Sequence, residues 1–114
     1  MGNIRKTISL FICLIFVGCA GNHPILESII SVPTIQCNMC EHNIHAALEN
    51  VDGVTKLTID PISKTTTVQY DSSLIKLENL ESLISQSGYQ ANDLKPDSAA
   101  YKKLNLCCKV QDIK

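Results

Sequence analysis

Ile35-Gln36-Cys37-Asn38-Met39-Cys40-Glu41-His42-Asn43-Ile44-His45-Ala46-Ala47-Leu48-Glu49-Asn50-Val51-Asp52-Gly53 is the stretch on which the fold turns. From Cys40 onward, the apolar residues Cys40, Ile44, Ala47, Leu48 and Val51 recur at i, i+4, i+7, i+8 and i+11, one face of a helix. Asn50 to Gly53 supplies the turn residues that close it. Ahead of the helix, Ser28 to Ile35 is rich in Ile and Val and reads as a strand, with Pro33 asking for an edge position or a bulge near its end. Cys37 and Cys40 therefore fall where a strand hands over to a helix.

Working outward, Val54 to Asp60 reads as a second strand with Leu57 and Ile59 alternating. Pro61-Ile62-Ser63 is a turn led by a φ-restricted proline. Thr65 to Tyr70 is a third strand, with Thr66, Val68 and Tyr70 on one face, so the two strands form a hairpin. Leu77, Leu80, Leu83 and Ile84 define a second amphipathic helix, Gly88 fits its left-handed cap, and Tyr89 to Asp93 can supply a short last strand. The order β-α-β-β-α-β over 27–93 predicts an α+β, ferredoxin-like sandwich: a four-stranded antiparallel sheet with two helices on one face. Its expected core is Ile30, Ile44, Leu48, Leu57, Ile59, Val68, Leu80 and Ile84. Residues 94–114 form a tail in which Ala99-Ala100-Tyr101-Lys102-Lys103-Leu104 can make a short helix leading into Cys107-Cys108.

The N-terminal stretch has a different character. Arg5 and Lys6 precede an almost wholly apolar run, Ile8 to Val17, too short to span a bilayer comfortably, so residues 1–18 are expected to be an export signal. Phe16-Val17-Gly18-Cys19 resembles the bacterial lipobox, with Phe16 where leucine is usual. That resemblance implies lipidation of Cys19 and anchoring to a membrane on the periplasmic side of the cell envelope, with 19–26 as a tether. The alternative is ordinary cleavage nearby, with Cys19 lost or left free. Removing 1–18 takes away Arg5 and Lys6, so Lys plus Arg falls from 10 to 8 against 11 Asp plus Glu, a net charge of about −3. Nucleic acid, whose phosphates call for a basic patch, is not an expected partner.

Six cysteines in a short exported chain suggest a disulfide scaffold, but their placement argues otherwise. Cys13 lies in the signal and Cys19 in the lipobox; four remain as two close pairs, Cys37/Cys40 and Cys107/Cys108. A framework staples distant segments, and adjacent cysteines rarely bridge each other without strain. At a helix start, free amides and the positive end of the helix dipole favour thiolates. Two residues between Cys37 and Cys40 let both sulfurs converge on one ion, and two thiolates suit Cu(I), Ag(I) or Hg(II) better than structural Zn(II), which normally wants four ligands.

Ile35-Gln36-Cys37-Asn38-Met39-Cys40 between a strand and a helix, with Val51-Asp52-Gly53-Val54 and Gly88-Tyr89 after it, resembles the heavy-metal-associated domain. That family includes copper chaperones, metal-binding modules of P-type ATPases and periplasmic mercury-binding proteins. The resemblance implies a metal site at Cys37 (the more exposed ligand) and Cys40, with Tyr89 beside it to shield or hydrogen-bond it. It also implies a metal-transporting membrane ATPase, or another donor or acceptor protein, as partner. Ile35 stands where the family usually has Met, a volume-conserving exchange beneath the metal loop.

Competing readings stay open at this level. The same Cys-x-x-Cys can serve a thiol–disulfide redox module, although no Trp or Pro flanks the first cysteine. Met39 reads as a solvent-facing spacer, and His23 sits in the tether. His42 and His45 offer either a metal pair or a solvated helix face. Cys107 and Cys108 can join the first site as a flexible arm, bind a second ion, or form a passive end. No acid–base pair, nucleophile–histidine arrangement or phosphate loop points to an enzyme.

Overall fold

The computed structural model describes residues 24–109. β1 spans Ile25–Ser31, α1 Asn38–Leu48, β2 Val54–Asp60, β3 Thr65–Asp71, α2 Leu77–Gln86 and α3 Ser98–Lys103, with a 3-10 turn at Leu106–Cys108. β1 takes in Ile25 and Leu26, which the sequence alone places in the tether, and stops at Ser31, earlier than expected, because the chain turns at Pro33. The three strands form an antiparallel sheet in the order β1-β3-β2.

Register puts Ile30 and Ile59 on either side of Thr66, and Ser28 and Leu57 on either side of Val68. Thr66, Val68 and Tyr70 thus face one way from the central strand, as β-branched and aromatic residues on a pleated, half-buried surface tend to. α1 buries Cys40, Ile44 and Leu48, and α2 buries Leu80, Ile84 and Ser85, in the same core as Ile30, Val68 and Tyr70. The opposite face carries Glu27, which accepts a hydrogen bond from Gln69 Nε2 at 2.9 Å, and Ile29, which is 66% exposed.

Six of the eight expected core residues are fully buried; Leu57 and Ile59 are only partly so. Both lie on β2, an edge strand. The core gains Val32, Ile35, Tyr89, Ala91 and Cys108 instead, all fully buried and all from outside the regular strands and long helices.

The expected fourth strand is a correction. Among the described residues the sheet has three strands, and residues 89–93 contribute a single isolated bridge, Ala91 to Leu94. The reason is Asn92, whose φ of 50° breaks an extended run. Asn92 nevertheless satisfies the end of β1: its N–H donates to Ser31 O at 2.8 Å, and its Oδ1 accepts from Ser31 N–H at 2.9 Å. One asparagine stands in for a strand partner, using its side chain where a strand would use a carbonyl.

Candidate metal centre

Cys37 is the N-cap of α1, with φ −152° and ψ 173°. Its carbonyl starts the helix by accepting from Cys40 N–H at 3.0 Å and Glu41 N–H at 3.3 Å. The thiol turns toward Cys40, one helical turn on, and the two sulfurs lie 3.6 Å apart. Ile35, just ahead of this loop, is fully buried in the core.

The C-terminal segment comes back to the same place. Cys107 Sγ lies 2.8 Å and Cys108 Sγ 3.7 Å from Cys37 Sγ, and the sulfurs of Cys37, Cys40 and Cys108 all fall within 4.8 Å of one another. Cys40 and Cys108 are buried, Cys37 is half-buried and Cys107 is exposed; all four are free thiols. The two pairs that the sequence keeps apart therefore form one cluster.

Electrostatics within the cluster are uneven. The hydrogen bond shared with Cys107 brings the Cys37 thiol down to about 6; burial, next in size, works against it, and the Cys40 amide and the other two thiols add to the lowering. The same shared bond pushes Cys107 up, and burial, then the Cys40 thiol, pushes Cys108 up. The first negative charge thus settles on Cys37, the half-exposed N-cap sulfur, where helix amides already favour an anion.

Tyr89 closes the inner side. It is fully buried, and its hydroxyl accepts from Asn43 Nδ2 at 2.9 Å. Burial first, and hydrogen bonding with Cys108 second, push the phenol up, so it stays protonated beside the sulfurs. Asn43 is a residue that sequence reasoning passed over. Its place three residues after Cys40, on the same side of α1, is the signal that could have found it. Met39, expected to be a solvent-facing spacer, is 45% exposed. His45 Nδ1 pairs with Glu49 Oε2 at 2.9 Å on the exposed face, so the solvated reading of that face holds for it. Cys19, with the export signal and the start of the tether, lies outside the described residues.

A strand–loop–helix that brings two cysteine sulfurs to the start of α1, backed by a buried tyrosine, defines a metal-binding domain of one class. Residues 29–90 match the heavy-metal-associated domain, and the chain belongs to that family. It is 30% identical over 63 residues to the copper chaperone CopZ of Staphylococcus aureus, covering 55% of this chain and 93% of that one. The solved CopZ metallochaperone superposes with a TM-score of 0.56 at 29% identity, over 58% of this chain and 98% of its own. A copper-binding domain from HMA7, a P-type ATPase, also gives 0.56 at 29% identity, over 58% and 89%. The family match ends at Gln90, well short of Cys107 and Cys108.

Proposed function

We propose that this protein binds a soft metal ion, Cu(I) before others, between Cys37 and Cys40, and buffers or relays it in the cell envelope as a carrier rather than an enzyme. The observation that carries this reading is the 3.6 Å between the two sulfurs at the start of α1. That spacing lies inside the span of about 4.6 Å that two thiolate–metal bonds of about 2.3 Å allow. A Cys37 thiol near 6 means that one ligand is already ionised at neutral pH. A ligand must lose its proton before it binds, so metal capture here starts without waiting for a base. The relatedness to copper chaperones favours Cu(I) over Hg(II), which the same thiolate pair also suits.

The lipobox-like segment at Cys19 supports an anchored location, with Cys37 and the exposed Cys107 facing outward to a donor or acceptor such as a metal-transporting ATPase. The test of the function is anaerobic isolation from the cell envelope with elemental analysis of the bound metal, beside Cu(I) titration of Cys37→Ser/Cys40→Ser. Copper in the isolated protein and loss of tight binding in the variant are expected. Unchanged binding in the variant would refute the site. An insulin-reduction assay separates the carrier from a redox module: the carrier is inactive in it. Labelling with radioactive palmitate, lost in Cys19→Ala, tests the anchor.

A further inference from the structure

The C-terminal arm is held to the domain in a way that a passive end would not need. Ser85, buried on α2, donates through Oγ to Lys95 O at 2.6 Å and accepts at its carbonyl from Asp97 N–H at 2.9 Å. Asp97 then caps α3, accepting from Ala100 N–H at 2.9 Å. α3 crosses directly over Gly88, so closely that a Cβ there would sit 3.1 Å from Ala100 C, Tyr101 N and Leu104 Cδ1. Leu104 packs against the core, and the arm buries Cys108 completely beside Tyr89. These contacts hold the arm to the domain, and at its far end Cys108 meets the sulfurs of Cys37 and Cys40.

We propose that Cys108 is a third ligand to the ion held by Cys37 and Cys40, so that the arm converts a two-thiolate relay site into a three-thiolate holding site. This rests on the metal-binding reading of Cys37 and Cys40 and extends it. Three sulfurs around one ion at bonds of about 2.3 Å stand about 4 Å apart when the ion lies in their plane. The distances of 3.6 and 3.7 Å from Cys37 to Cys40 and Cys108, with all three sulfurs inside 4.8 Å, need only small side-chain rotations to reach that arrangement. Cys107 is the outward thiol. It touches Cys37 at 2.8 Å, lies 3.9 Å from Cys108 and is exposed, so it marks the side by which an ion or a partner's thiolate approaches. Ligation releases the thiol protons to solvent, and no oxidant or reductant is needed.

An ion held by three sulfurs, two of them buried, leaves more slowly than one held by two. Handing it on then requires the arm to lift or a partner to displace Cys108. The arm is thus a device for retention, with soft ions that accept three thiolates as its ligand class.

The test uses the full chain, reduced and kept soluble in detergent, with Cu(I) as the probe. X-ray absorption at one equivalent of Cu(I) should count three sulfurs in the unaltered protein and in Cys107→Ala, and two in Cys108→Ser. Competition against a Cu(I) chelator should show at least about a tenfold loss of affinity in Cys108→Ser, since even outer-shell losses at metal sites commonly cost that much. Two sulfurs in the unaltered protein would overturn the proposal without any variant having to fold. So would a second equivalent of Cu(I) bound as tightly as the first and lost in Cys107→Ala. Unchanged affinity in Cys37→Ser/Cys40→Ser would instead refute the underlying site, which keeps the two failures distinct.

Discussion

Cys37 and Cys40 are set by an eleven-residue helix that buries Cys40, Ile44 and Leu48, whereas Cys107 and Cys108 ride on a six-residue helix that buries nothing and a single 3-10 turn that buries only Cys108. The first pair is fixed by periodic packing within the domain that the family match covers. The second is fixed by a few particular contacts: two hydrogen bonds at Ser85, a crossing over Gly88 and one half-buried leucine. A binding pair built on a helix is robust. A pair built on an arm can be detached, and that is what allows it to change how firmly an ion is held. The largest expected effect keeps to the first region: loss of tight Cu(I) binding in Cys37→Ser/Cys40→Ser, read by chelator competition.

Next in size is the crossing point. Gly88 has φ +98°, which costs a side-chain-bearing residue backbone strain, and two of the three atoms nearest its absent Cβ are backbone atoms of α3. Gly88→Ala should therefore lower stability to urea by about 1–3 kcal/mol. It should also make Cys108 open to alkylation in the folded, metal-free protein, as mass spectrometry of the labelled peptides would show. If Cys108 stays protected, the arm is held by Ser85 and Leu104 alone, and the comparison has to be redrawn with a firmer second region.

How much of this could be read from the sequence follows the same division. Ile44 and Leu48 were legible from a 3.6-residue period, Val68 from alternation, and the hairpin from Pro61 to Ser63 between two β-rich runs. β2 and the start of β3 fall where pattern places them. What failed to show depends on single residues in tertiary context. Asn92 takes a left-handed conformation and mimics a strand partner for Ser31, so a run that looks extended is not a strand. Leu57 and Ile59 alternate correctly, but an edge strand leaves them half covered. The pairing of Cys37 with Cys40 was legible because three residues of separation and a helix start fix it locally. That Cys107 and Cys108 could join the first site as an arm was one of three open readings, but the choice among them was not legible, since nothing periodic in residues 94–108 says where the segment docks. Only the short helix before it had a local signature.

Asn43 links the two regions and gives a smaller effect. It stands on α1 yet donates at 2.9 Å to Tyr89, whose hydroxyl also bonds with Cys108 of the arm. Asn43→Ala should cost about 1 kcal/mol of stability, the usual net value of one hydrogen bond. Its further effect should be on the arm side, as faster alkylation of Cys108 with Cys37 unaltered. Equal changes at both cysteines would mean that α1 itself had moved, and the two regions would not be separable at this point.

The smallest change in rate should come from Cys107→Ala, and it carries the sharpest information. The bond shared with Cys107 is the largest cause that holds Cys37 at about 6, with the Cys40 amide and the other two thiols behind it. Without Cys107, the pH midpoint for alkylation of Cys37 should rise toward the ordinary thiol range of about 8.5, but stop short because the Cys40 amide remains. The sign follows from linkage: a lowered thiol favours the folded state fully above the unfolded value of about 8.5, and this is lost as pH falls through 6. At pH 7 the rate itself should change by less than about tenfold, because a less acidic thiolate is scarcer but more nucleophilic. The midpoint is therefore the quantity to measure, across pH 4.5 to 9.5, in metal-free protein. A midpoint that does not move would assign the acidity of Cys37 to the helix start alone. The two pairs would then meet only through a shared ion, and the arm's influence would have to be sought in how long that ion stays.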